Sequence, residues 1–240
     1  MNFGQRGRQF CVTHMYVLSV QVSGSWELVP SISGGPLEGE YVFSQLHFHW
    51  GTSDNIGSEH TVSNFSFPME MHLVHYKKNY GSQEVALNYG DGLAVVSFLY
   101  ELSERPNPAL NAIIPFLDSV VGAELEVTVA RPFPLEMLDI SFSSEYVTYL
   151  GSLTTPPCSE VVTWIVSSRP LALSQEQETF DFQPNTYLIF TPSFCRNSAS
   201  MIWFWFQLAK FRHLSSADVD MENNFRPVQP TNGRPVYYVS

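Results

Sequence analysis

The segment Gln45-Leu46-His47-Phe48-His49-Trp50 constrains this chain more than any other stretch, because polar and large apolar side chains alternate in it without a break. An extended strand gives side chains a period of two, so Gln45, His47 and His49 share one face while Leu46, Phe48 and Trp50 share the other. Such a strand needs a core on one side and a reason for two histidines on the other. Glu70-Met71-His72-Leu73-Val74-His75 has the same character, with Glu70, His72 and Val74 in phase and His75 out of phase. Five of the seven histidines (His47, His49, His60, His72 and His75) fall in this short region.

If the two strands pair side by side, His47, His49 and His72 converge on one point. That is the three-histidine arrangement with an open fourth position that suits catalytic zinc, Zn2+. Gln45 and Glu70, two residues upstream on the same faces, are placed to receive the ring N–H of His47 and His72 that points away from the metal, which fixes tautomer and ring orientation. His60 and His75 read as structural histidines.

The rest of the chain reads as mainly β with a few short helices. Strand patterns cover 16–22, 41–50, 69–76, 93–99, 125–129, 148–153 and 161–166, and residues 109–121 have helical spacing after a Pro-rich entry. Ser33-Gly34-Gly35-Pro36 supplies a turn, and the prolines of Thr154-Thr155-Pro156-Pro157 must interrupt any ladder there. No repeat or linker divides the 240 residues, so a single domain over 1–240 is expected. With 12 Lys+Arg against 23 Asp+Glu the net charge is -11, a field that repels phosphate backbones, so no nucleic acid partner is expected. No run of the about 20 apolar residues needed for a membrane span is present, and the first residues lack the apolar centre of a signal peptide. The chain therefore reads as soluble.

Gln45-Leu46-His47-Phe48-His49-Trp50-Gly51, Gly57-Ser58-Glu59-His60-Thr61-Val62 and Glu70-Met71-His72-Leu73-Val74-His75 resemble, in order and spacing, successive signature blocks of the α-class carbonic anhydrases. Ser152-Leu153-Thr154-Thr155-Pro156-Pro157 with Val162-Thr163-Trp164 resembles that family's active-site loop and the strand after it, and Asn224-Phe225-Arg226-Pro227 its C-terminal block. The resemblance covers about 14–177 and 208–240. It implies a twisted, mostly antiparallel central sheet, and zinc-dependent reversible hydration of carbon dioxide to bicarbonate and a proton by a zinc-bound hydroxide, with sulfonamides or anions as inhibitors. It further implies that Thr154 orients the hydroxide by passing its own proton to Glu59, and that Thr155 assists bicarbonate binding. Val74, Val95, Leu153 and Trp164 would form the apolar pocket for carbon dioxide, and the Asn224 backbone carbonyl would support His49.

Proton export is a task the family often gives to a histidine that begins a strand after a turn, and His14 is the candidate, although Thr13 stands where Gly is usual. Upstream of residue 14 the family has a longer segment, so the chain is expected to be truncated. Residues 178–207 separate blocks that the family keeps contiguous and are expected to be an atypical insert. These two departures leave open a catalytically weak or inactive binding protein of the same family. Cys11, Cys158 and Cys195 cannot all pair with one another. Cys158 matches a half-disulfide of extracellular members, and with the sequon Asn64-Phe65-Ser66 it favours a secreted parent over a cytoplasmic one.

Overall fold

The computed structural model describes residues 7–14, 20–104, 106–120, 125–129, 134–138, 140, 145–174, 207–212, 214 and 223–240, with side chains from residue 20 onward. Its strands are β1 (Gly7–His14), β2 (Val20–Trp26), β3 (Ser31–Gly34), β4 (Leu37–Trp50), β5 (Met69–Lys77), β6 (Leu93–Ser103), β7 (Glu126–Val129), β8 (Tyr146–Gly151), β9 (Val162–Ser167), β10 (Leu171–Ser174) and β11 (Tyr237–Val239). Among the described residues they form one sheet in the order β11-β8-β9-β6-β5-β4-β2-β1-β7, with β10 beside β6 and β3 beside β4. All pairings are antiparallel except β6 with β9 and with β10. The helices are short: α1 (Gln83–Ala86), α2 (Ile114–Leu117) and α3 (Gln207–Arg212). The region expected to be helical at 109–121 is broken into 3-10 turns around α2.

The main core lies on one face of this sheet. Leu46, Phe48 and Trp50 of β4, Met69, Met71 and Leu73 of β5, and Ala94, Val96, Phe98 and Tyr100 of β6 are all buried in it. Tyr41 and Phe43 are buried in the same cluster, although odd positions beyond residue 44 face the other way. The register explains this. Phe43 lies opposite His75 and Gln45 opposite Val74, so Ser44 is an extra residue, a β-bulge that inverts the alternation between the two halves of β4. Its hydroxyl bonds Gln83 Oε1 of α1 at 2.5 Å. The alternation read at 45–50 holds, while the strand expected over 41–50 carries one break, because a bulge moves every later side chain to the opposite face.

Of the strand expected at 16–22, the described residues 20–22 are in a strand. The structure has β2 at Val20–Trp26, in antiparallel register with β1, and residues 15–19 lie outside the described residues. Of the insert expected at 178–207, all but Gln207 lies outside the described residues. Gln207 is fully buried at the start of α3. Its Oε1 accepts from the N–H groups of Asn107 and Ser174 at 2.9 and 3.4 Å, and its Nε2 donates to the Asn107 carbonyl at 2.6 Å. That residue belongs to the packed body.

His75, out of phase with the other strand histidines, sits on the core face against the Phe43 ring, with Nδ1 3.0 Å from the Leu73 carbonyl. Burial pushes its pKa down to about 4. The unfolded chain therefore binds a proton near pH 6.5 that the folded chain refuses until about pH 4. Stability contributed by neutral His75 is whole above about 6.5 and is lost as pH falls toward 4, by up to about 3 kcal/mol. Urea melts at stepwise lower pH should show this loss, and a His75→Phe variant should show a flatter profile over the same window. Equal slopes for both would sink the assignment.

Candidate metal centre and active-site cleft

Antiparallel pairing of β4 with β5 sets His47 directly opposite His72, and His49 opposite Glu70. β6 continues the row, with Ser97 beside His72 and Val95 beside Val74. Nδ1 of His47 lies 2.9 Å from Gln45 Oε1, and Nδ1 of His49 lies 2.8 Å from the Asn224 carbonyl. Nε2 of His72 lies 2.7 Å from Glu70 Oε1. Each partner atom is an oxygen that only accepts, so each of these ring nitrogens carries the proton. Neutral imidazole then leaves Nε2 of His47, Nε2 of His49 and Nδ1 of His72 as bare lone pairs.

The ring nitrogens these three histidines can offer lie within 4.8 Å of one another. Nε2 of His49 and Nδ1 of His72 are 3.1 Å apart. Two lone pairs at that separation repel unless a cation lies between them. Nitrogens bound tetrahedrally at about 2.0–2.1 Å from zinc stand roughly 3.3–3.4 Å apart, close to the spacing here. The donor set therefore fits zinc. Burial, reinforced by the neighbouring His49 and His72, holds the His47 imidazole well below its usual pKa. Burial also lowers that of His49, against the opposing pull of Glu59. Both favour the neutral form a metal requires.

Glu70 is fully buried. Its Oε2 accepts the backbone N–H groups of Glu59 and His60, each at 2.8 Å, and its Oε1 faces His60 Nδ1 at 2.5 Å and His72 Nε2 at 2.7 Å. Ser97 Oγ donates to the same Oε1 at 2.5 Å. Burial works against its charge, but the charges and hydrogen bonds of His60 and His72 hold the carboxyl well below the usual range. His60, read from sequence as merely structural, bridges Glu70 to the Tyr149 hydroxyl, 2.7 Å from its Nε2. Burial disfavours a charged His60, yet the adjacent Glu70 carboxylate raises its pKa. Tyr149 and Ser97 were not singled out by sequence reasoning. Ser97 left one signal, a lone hydroxyl within the apolar run 93–99.

Glu59 reaches the cluster from a loop and its side chain is only 4 % exposed. Gly57 lets that loop lie against the start of β5: its φ is +146°, and a Cβ there would meet the Pro68 carbonyl at 2.1 Å. Oε1 of Glu59 accepts the Arg226 N–H at 2.8 Å, while Oε2 accepts no hydrogen bond among the described residues and stands 3.5 Å from His49 Nε2 and 3.9 Å from His72 Nδ1. The bond from Thr154 that the resemblance implies is not made in this structure. Thr154 and Glu59 do line the same cleft, of about 320 Å³, together with Tyr149 and Trp164.

Thr154 and Thr155 lie on the half-exposed loop between β8 and β9, closed by Leu153 N–H to the Ser159 carbonyl and Cys158 N–H to the Thr155 carbonyl. Val74, Val95 and Trp164 are consecutive register partners across β5, β6 and β9. With half-buried Leu153 they belong to a second apolar cluster on the histidine face. The Trp164 ring packs edge-on against His72 at 4.8 Å between centroids. His14 ends β1 opposite Val20 instead of opening a strand, because 7–14 forms its own antiparallel pair with β2. The β1 residue in line with His47, through Gln21, is Thr13.

The model of the eukaryotic-type carbonic anhydrase family matches residues 10–183. This chain belongs to the α-class carbonic anhydrases. It is 38% identical to carbonic anhydrase 7 of Homo sapiens over 213 residues, covering 85% of this chain and 67% of that relative. Carbonic anhydrase 7 of Mus musculus is 39% identical over 211 residues, with the same coverage. Carbonic anhydrase 5A, mitochondrial, of Rattus norvegicus is 35% identical over 222 residues, covering 92% of this chain and 64% of the relative. The chain thus spans about two thirds of the length of these relatives. They overturn the expectation of a secreted parent: none is a secreted form by name, and one is mitochondrial. Cys158, the residue on which that expectation leaned, is a free, half-exposed thiol. A single cysteine position and a three-residue sequon are weak markers of compartment beside similarity over most of the chain.

Proposed function

We propose that this chain catalyses the reversible hydration of carbon dioxide to bicarbonate and a proton. The observation that carries the reading is the set of three imidazole nitrogens, each ring fixed by an oxygen partner on its far side and all three nitrogens within 4.8 Å of one another. Zinc held by His47, His49 and His72 would supply Lewis acidity, bringing the pKa of a coordinated water to about 7, an effect for which carbonic anhydrase is itself the reference case.

The chain's own groups divide the remaining work. Glu59 Oε2, a buried acceptor with no hydrogen-bond partner among the described residues, is suited to take the Thr154 hydroxyl proton in a hydrogen bond. That leaves the Thr154 oxygen free to accept from the attacking water and to aim it. Carbon dioxide carries no charge, so the wall of Val74, Val95, Leu153 and Trp164 would hold it by dispersion and exclusion of water. The row of Val74 and Val95 lies two residues along the strands from that of His72 and Ser97, or about 7 Å. Thr155, on the same loop as Thr154, is assigned to bicarbonate and to anionic or sulfonamide inhibitors.

Stopped-flow hydration with a pH indicator, on the full chain with its zinc content measured, tests this reading. Sulfonamide-sensitive turnover is expected, and stoichiometric zinc without it would leave a binding protein instead. Proton export is assigned to His14 on the family resemblance. A His14→Ala variant should then lose about tenfold or more of its turnover in dilute buffer and regain it in concentrated buffer, whereas full turnover in dilute buffer would remove that role.

A further inference from the structure

The central strand β6 is buried from Leu93 to Tyr100, and Ser97 is the single hydroxyl facing the histidine side within that run. A buried hydroxyl is costly unless it is bonded. Ser97 is fully buried, and its Oγ reaches Glu70 Oε1 at 2.5 Å, in the short range of charge-assisted O–H···O⁻ bonds. Its position is set by register: Ser97 lies directly beside His72, and Glu70 lies beside Leu99, so the bond runs diagonally from β6 to the residue that orients His72.

The other contacts of Glu70 show what this bond adds. The backbone N–H groups of Glu59 and His60 pin Oε2, which leaves rotation of the carboxylate about that end to be restrained at Oε1. There the donors are two imidazoles, His60 and His72, one of which is the group to be oriented. Ser97 is the donor to Oε1 that comes from the neighbouring strand.

We propose that Ser97 is a positioning residue for the metal ligand His72, acting through Glu70. The proposal rests on the metal-centre reading above. By holding Oε1 in line with His72 Nε2–H, Ser97 keeps the Nδ1 lone pair of that ring aimed at the point shared with His47 and His49. Partners outside the ligand shell usually matter to metal retention more than to folding, because they fix the direction of a bond the fold does not otherwise need.

Zinc competition against a chelator tests this, on the full chain and its Ser97→Ala, Ser97→Thr and Glu70→Gln variants, with melts of the zinc-free proteins run alongside. Ser97→Ala should weaken zinc binding about tenfold and speed zinc release, with little change in the zinc-free melt. Ser97→Thr, which restores the hydroxyl, should recover most of the affinity. In the Glu70→Gln background Ser97→Ala should add nothing further. Unchanged affinity in Ser97→Ala, or an equal loss with and without Glu70, would overturn the proposal while leaving the metal centre standing. Failure of the unsubstituted chain to take up zinc would overturn the metal centre and the proposal with it.

Discussion

Replacing His47 by alanine is expected to lower zinc affinity at least about a hundredfold and to abolish measurable carbon dioxide hydration, while the fold survives. The floor follows from ligand chemistry: loss of an outer partner alone costs about 10–100-fold in affinity, and a ligand is worth more than its partner. His47 is the right ligand to remove. It is half-buried, and its outer nitrogen meets the uncharged Gln45 side chain. His72, by contrast, is fully enclosed and faces the Glu70 carboxylate, so deleting it would confound metal loss with an uncompensated buried charge. The measurement is zinc per protein after dialysis against a weak chelator, with a thermal melt beside it. Retention of stoichiometric zinc by His47→Ala would place the metal elsewhere, and the cluster of His60, Glu70 and His72 would be the next site to examine.

The second large effect concerns stability. Glu70→Leu is expected to cost about 3–5 kcal/mol, a large share of the roughly 5–15 kcal/mol that a domain has in all. Five donors converge on this fully buried carboxylate: two backbone N–H groups, two imidazoles and the Ser97 hydroxyl. A leucine side chain leaves all of them without an acceptor in a place water does not reach, and each unsatisfied group carries a penalty of about 1–3 kcal/mol before relaxation. Glu70→Gln keeps one acceptor oxygen and should lose less. Urea unfolding of the three proteins checks the order, and a loss under about 1 kcal/mol for Glu70→Leu would show that solvent or a rearranged loop satisfies these donors.

The histidine site was legible because its information is local. Alternation at 45–50 and 70–75 places each histidine on a face using two residues of context, and the pairing that reading needed is the observed register, with His47 opposite His72. Distances in sequence explain most of what was not legible. His60 meets Tyr149 across 89 residues, and Ser97 meets Glu70 across 27, neither of which a local pattern can encode. The bulge at Ser44 was invisible for another reason. On either side of it the strand looks regular, and only burial of Phe43 and Leu46 in one core reveals the inversion between them. Compartment was misread because a lone cysteine carries no record of whether a partner exists.

Two of the groups that complete the cleft come from far downstream. The carbonyl that fixes His49 belongs to Asn224, 175 residues later, and the N–H that holds Glu59 belongs to Arg226, 167 residues later. A ribosome-bound chain that has released β4, β5 and β6 therefore exposes His47, His49 and His72 with only part of their tautomeric control. Any ion captured during that interval meets a loose, permissive trap instead of a shaped one. The full geometry of the site thus waits until residues 224–226 have been made, when Asn224 closes over the end of β4.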